Sequence, residues 1–353
     1  MKSLVYLAML LSISCTTTSG SNSKNPVNDY KIVSHAEQFV SFWDAAKGME
    51  KADRLKLFES SPFNTDHQEF YDDIAFGSKM DPNWKQNKIE SLEEIFDQYE
   101  KKQQKILTQH QFLKEKADVW VKAAFRRYKF DRPIEIVITP VLTSGGTLRV
   151  RDKVILAIGS NVLADFKDAD FIIPHELTHA YHNSVSNFPG GDDLALLNSD
   201  EAKLYWGLWT EGMATYGVYE VTKIENMKFI MGHKEYSSIN FHKEPRIDAK
   251  LADLFLKVMD DRYINLDDSN VRRQTKNWFG VKSNVMGNET PSAPGYYLGF
   301  RVIQTLITSG KFTFDDLLRL NRQEVRPHII DALKTFKAAS DAQEKTKNSS
   351  SAL

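Results

Sequence analysis

The stretch 171-FIIPHELTHAY-181 decides how the rest of the chain is read. His175 and His179 stand four residues apart, with Glu176 directly after the first. On an α-helix that spacing puts both imidazoles on one face, one turn apart, so that both reach a single ion. Glu176 faces the same side obliquely. Phe171, Ile172 and Ile173 run straight into the motif, and Ala180 and Tyr181 follow it, so the helix is expected to be buried. Buried imidazoles and carboxylates without partners are costly, and a metal removes that cost. A Zn²⁺ ion held here needs a third protein ligand and an open position for water. The ion lowers the pKa of that water, and Glu176 is placed to take its proton.

The third ligand must be sought downstream. The extended pattern HExxHxxGxxH requires Gly at 182 and His at 185, but the chain carries His182 and Val185. The chain has one cysteine, Cys15, so a cysteine-based zinc site is excluded. Glu211 lies in 209-WTEGMATYG-217, and on a helix it shares a face with Leu204, Leu208, Thr215 and Val218. A carboxylate within such an apolar stripe needs a cation or donors, which zinc, an arginine or a hydroxyl can supply. Gly212 and Ala214 permit close approach of a neighbouring helix. Glu201 is the rival, although Asn198 followed three residues on by Glu201 also reads as a capping box. His182 falls near the same face as His179, but three ligands from one helix crowd a tetrahedral ion. It reads better as a supporting or core residue. His233 and His242 lie where periodicity is weak and read as surface histidines. Asp192 and Asp193, after Gly190 and Gly191, read as a turn without a calcium-binding pattern.

Outward from this centre, strand signals are confined to one region. Ile134–Thr139 (IEIVIT) is β-branched and bounded by Pro133 and Pro140. Thr147–Val150 and Val154–Ile158 flank Arg151-Asp152-Lys153 as a hairpin. Upstream, Phe39, Phe42, Trp43, Ala46 and Met49 recur at helical spacing, and an amphipathic stretch runs from Ile89 to Tyr128. Its lysines and glutamates read as a solvated face. The expected fold is α+β and mostly helical, zincin-like, with a small sheet next to the HExxH helix. The strand Val154–Ile158 is a candidate edge for pairing with an extended substrate. The expected organisation is a signal segment 1–15, a flexible tether 16–33, an N-terminal helical region 34–130, a metal-binding domain 131–337 and a disordered tail 338–353. The helical region is open to reading as lid, scaffold or partner surface.

The three segments HELTH, WTEGMATYG and 294-PGYYLGFRVI-303 together resemble the gluzincin-type metallopeptidases. They look closest to a family of predicted Zn-dependent proteases first described as a domain of unknown function, DUF2268. The likeness covers roughly Ile134–Ile307. It implies His175, His179 and Glu211 as zinc ligands and Glu176 as general base. The commonest gluzincin pattern has Asp four residues after the ligand Glu, where this chain has Thr215. Second-shell support for a zinc histidine must then come from elsewhere. Related peptidases use a Tyr or His as oxyanion donor, and Tyr296 or Tyr297, with Tyr297 favoured, takes that role here. Arg301 reads as the partner of a structural acid.

The ends and the charge bound the setting. Lys2, the apolar run Leu4–Leu11 and Ser12-Ile13-Ser14-Cys15 form a secretory signal pattern of the bacterial lipoprotein type. The expected protein is exported to the cell envelope and anchored by a lipid on Cys15, or else cleaved as an ordinary secreted chain. The 46 basic and 47 acidic residues nearly cancel, which gives no electrostatic basis for a nucleic-acid partner. The expected function is a zinc metallopeptidase acting on peptides or proteins. The alternatives are a zinc amidohydrolase acting on a non-protein amide and a catalytically inactive zincin-fold binding lipoprotein.

Overall fold

The computed structural model describes residues 29–76, 83–150, 152–186, 200–242, 244–259, 277–280 and 292–350. The signal segment, most of the tether, the Gly190–Asp193 turn and Asn198 lie outside the described residues. Among the described residues, no helix is long and apolar enough to cross a membrane. The chain divides into two compact units, Met1–Tyr181 and His182–Leu353, and the division falls inside the helix Ile172–Val185.

The first unit is built on one four-stranded sheet. Its strands are β1 (Tyr30–Ser34), β2 (Ile134–Thr139), β3 (Gly146–Val150) and β4 (Val154–Gly159), in the order β1-β2-β4-β3. β1, β2 and β4 run parallel, and β3 returns antiparallel along β4. IEIVIT and VILAIG are nearly continuous apolar runs because they lie side by side in the middle of the sheet, where both faces are covered. The expected hairpin is present, with Leu148 opposite Leu156. Two sequence expectations need correction. Tyr30–Ser34 is a strand paired Tyr30 to Ile134 through Ser34 to Ile138, so the tether ends before residue 30 rather than at 33. β4 is flanked on both sides, so Val154–Ile158 is not an edge; the outer strands of the sheet are β1 and β3.

Three helices complete most of this unit: α1 (Ala36–Ala46), α2 (Lys51–Ser60) and α3 (Trp84–Arg127), the last kinked at Lys102. The apolar points expected at helical spacing, Phe39, Phe42, Trp43 and Ala46, are all buried. They meet Phe58, Phe63, Phe96 and Tyr99 in an aromatic core that also includes Val137 and Ala157 of the sheet. Phe39 and Tyr99 pack edge to face at 4.7 Å, an arrangement favoured by the ring quadrupoles. The helical region is therefore a scaffold that shares a core with the sheet. The expected boundary at 130/131 does not separate two units.

The second unit is all helical among its described residues. α4 (Ile172–Val185) enters it, followed by α5 (Asp200–Thr222), α6 (Pro245–Met259), α7 (Pro294–Thr308), α8 (Phe314–Arg319) and α9 (Arg322–Ser350). α5 is buried around its whole circumference from Leu204 to Val218, as a central helix must be. It crosses α7 at a point where only glycine fits. A Cβ on Gly212 would lie 2.4 Å from the Gly299 carbonyl carbon, and one on Gly299 would lie 2.3 Å from the Leu208 oxygen. The tail read as disordered from 338 continues α9 to Ser350. Its Ala, Lys, Gln and Glu residues are strong helix formers and extend a helix already nucleated by packed residues such as Ile329 and Leu333.

Candidate metal centre

The HELTH helix α4 is fastened through Thr178 and Tyr181. Pro174 lies in its first turn, where a missing N–H costs nothing. The Thr178 hydroxyl donates to the Pro174 carbonyl at 2.8 Å and so accepts from Tyr128, whose hydroxyl is 2.9 Å away. The Tyr128 ring stacks on Tyr181 at 4.6 Å. Just ahead of the helix, the Trp120 indole donates to Asp170 at 2.7 Å. These contacts tie α4 to the end of α3.

With that register fixed, His175 and His179 present their rings 4.8 Å apart, centre to centre. His175 is buried and His179 half-buried. Glu176 is also half-buried and lies against β3. A Cβ on Gly146 would approach its Oε1 to 2.6 Å and its Cδ to 2.9 Å, so glycine at 146 makes room for the carboxylate. Periodicity cannot reveal that contact, because it depends on how a strand and a helix come together. The local sign of it in the sequence is the Gly145-Gly146 pair at the start of β3.

Glu211 is where the apolar stripe of α5 predicted it. Leu204, Leu208, Glu211, Thr215 and Val218 are all buried, with Glu211 2% exposed. The neighbouring Gly212 is pressed against Gly299. One ligand atom from each of His175, His179 and Glu211 lies within 4.8 Å of the others, and together they form a group able to hold a metal ion. Among the described residues this is the group of its kind, and it includes neither His182, His233 nor His242. His182 is buried with its ring 5.8 Å from Trp206. His242 is exposed, 3.4 Å from Glu225, and burial lowers the pKa of the half-buried His233. The side chain of Glu201, the rival ligand, lies outside the described residues.

Tyr297 requires a correction. It is fully buried, and its hydroxyl donates to Asp248 at 2.7 Å. Burial, with the Asp248 charge next in effect, holds the phenol far above its ordinary pKa, so it stays a donor to that carboxylate. Its one proton is therefore committed to Asp248 and not offered to an oxyanion. Tyr296, the other member of the pair, is half-buried. Arg301 grips Asp248, as expected of a partner to a structural acid, through Nε at 3.0 Å and Nη2 at 2.7 Å. Sequence reading missed Asp248 itself, which lies 49 residues before Tyr297 with no motif around it.

No protein-family model, no curated protein and no solved structure matches the chain.

Proposed function

We propose that this chain is a zinc-dependent metallopeptidase of gluzincin type, with His175, His179 and Glu211 as ligands and Glu176 as general base. The observation that carries this reading is the convergence of two imidazoles one helical turn apart with a buried carboxylate from another helix. Two histidines and one glutamate are a donor set of catalytic zinc sites, which keep a fourth position open. Zinc bonds of about 2.1 Å place tetrahedral ligands roughly 3.4 Å apart. The ligand atoms, all within 4.8 Å of one another, are already near that spacing, and the donor set suits the ion. The sheet supports a zincin-like arrangement, with the antiparallel strand β3 at its edge beside the motif glutamate.

Zinc bound there supplies a Lewis acid that makes water a nucleophile at neutral pH. Glu176 accepts the proton that the attacking water gives up and then delivers it to the leaving amine. Gly146 leaves space for that carboxylate to act. As an outer strand of the sheet, β3 is where an extended chain would pair, which favours a peptide substrate over a compact one. Tyr297 has no part in the chemistry. Export and lipid attachment at Cys15 belong to the same proposal.

The test is cleavage of a panel of unfolded proteins by the purified chain, with and without a chelator. Glu176→Gln is expected to keep the metal and to lower turnover by at least about 10²–10⁴-fold. Unchanged turnover in that variant rejects the mechanism.

A further inference from the structure

Thr215 sits one turn beyond Glu211 on the same buried face of α5, and it is 1% exposed. Its hydroxyl has no hydrogen-bond partner among the described residues. Helical threonines ordinarily satisfy their hydroxyl on the carbonyl four residues back. Four others among the described residues do so: Thr178 to Pro174, Thr210 to Trp206, Thr222 to Val218 and Thr335 to Asp331, at 2.8, 3.0, 2.7 and 2.9 Å. Thr215 does not take that bond, so a buried hydroxyl is left over beside the buried Glu211. An unmet buried hydroxyl is unfavourable, and its retention points to a partner gained in another state.

The direction of that partner follows from helix geometry. A helical side chain leans over the turn N-terminal to its own Cα, and residues four apart are neighbours. From position 215 that neighbour is Glu211. A carboxylate that spends one oxygen on a metal has the other to satisfy, and ligating carboxylates are themselves hydrogen-bonded.

We infer that Thr215 is a positioning residue whose hydroxyl donates to the Glu211 carboxylate when that carboxylate ligates the metal. This rests on the metal reading above and assigns the hydroxyl a place in it. The hydroxyl holds the glutamate in its one-oxygen ligating position and does not touch substrate.

The experiment uses the full chain, prepared metal-free and titrated with zinc against a chromophoric chelator. Wild type, Thr215→Val and Thr215→Ser are compared, and the thermal midpoint of each metal-free protein is measured alongside. Thr215→Val is expected to weaken zinc binding by about 10–100-fold. Its metal-free midpoint is expected to stay level or rise, because valine removes an unmet buried hydroxyl. Thr215→Ser is expected to bind zinc like wild type. Wild-type zinc affinity in Thr215→Val overturns the inference and leaves the metal reading standing. So does a joint loss of affinity and midpoint, which a merely structural residue would give, or a failure of serine to restore binding. A wild-type chain that does not bind zinc overturns the metal reading, and this inference with it.

Discussion

Asp248 and Glu211 are two acids of the second unit, each only 2% exposed, and they are accommodated in different ways. Asp248 has its cation built into the chain. Arg301 grips it from two nitrogens, Tyr297 donates to it, and the rest of the guanidinium is used on the Phe241 carbonyl and Gln304. Gln304 in turn donates to the same Phe241 carbonyl at 3.0 Å. Glu211 is instead brought to two imidazoles, groups that share with a carboxylate the capacity to ligate a divalent ion. The contrast separates a structural acid from one proposed as a ligand. The first is closed by charges of the same fold, whereas the second converges with other donors on a point.

The largest effect expected from this comparison is on stability. Asp248→Ala leaves the Arg301 guanidinium buried without its counter-charge, which costs about 3–5 kcal/mol. Chemical denaturation measures that loss, while the zinc content of the molecules that remain folded is expected to be unchanged. A variant that loses zinc at undiminished stability would reverse the two assignments.

A third buried polar set, in the first unit, sharpens the contrast by using histidines with no carboxylate among their hydrogen-bond partners. His110 bonds Ser34 at 2.8 Å, and His35 bonds Tyr71 at 2.9 Å and stacks on His67 at 3.9 Å. Tyr71 continues the chain of bonds to Thr139 at 3.0 Å. Burial pushes the His35 imidazole down to about 3 and that of His110 to about 4, aided by neighbouring histidines at His35 and by Lys114 at His110. Both folded values lie below the unfolded value of 6.5, so the unfolded chain takes up protons first on acidification. Their contribution is complete above pH 6.5 and falls as the pH drops from 6.5 toward about 3 for His35 and about 4 for His110. The loss is at most about 1.4 kcal/mol per pH unit for each histidine. The depressed carboxylates Asp165 and Asp253 act in the same direction but only below their ordinary range. Denaturation profiles at several pH values check this, and a flat profile from pH 7 to 5 contradicts it.

The smallest expected effect is that of Tyr297→Phe. It removes one donor from a carboxylate that keeps Arg301, at a cost of about 1–2 kcal/mol, with turnover per folded molecule preserved. A loss of oxyanion stabilisation would instead lower turnover by about 10²–10³-fold at unchanged stability.

What was legible in the sequence follows from the range of each signal. The HELTH face, the Glu211 stripe and the central strand IEIVIT are written in local periodicity, and the structure places all three where that periodicity puts them. The hairpin was legible from its turn, but not that β4 would pair with β2 and leave β3 outside. β1 was missed because five residues, YKIVS, carry little signal alone, and their partner strand begins at Ile134. The Gly146–Glu176 contact and the capture of Tyr297 and Arg301 by Asp248 were hidden for the same reason, since each joins elements distant in sequence. The tail was misread because a lack of apolar pattern was taken as disorder, although its composition favours helix.

The central claim is that Glu211 completes a metal site with His175 and His179. Zinc analysis of the purified full chain beside Glu211→Ala, with the folded state of each checked by circular dichroism, tests it most directly. About one zinc ion per chain is expected in the wild type, as for a single three-ligand site, and its loss is expected in the folded variant. Stoichiometric zinc retained by Glu211→Ala, or a folded wild-type chain that takes up none, would contradict the account.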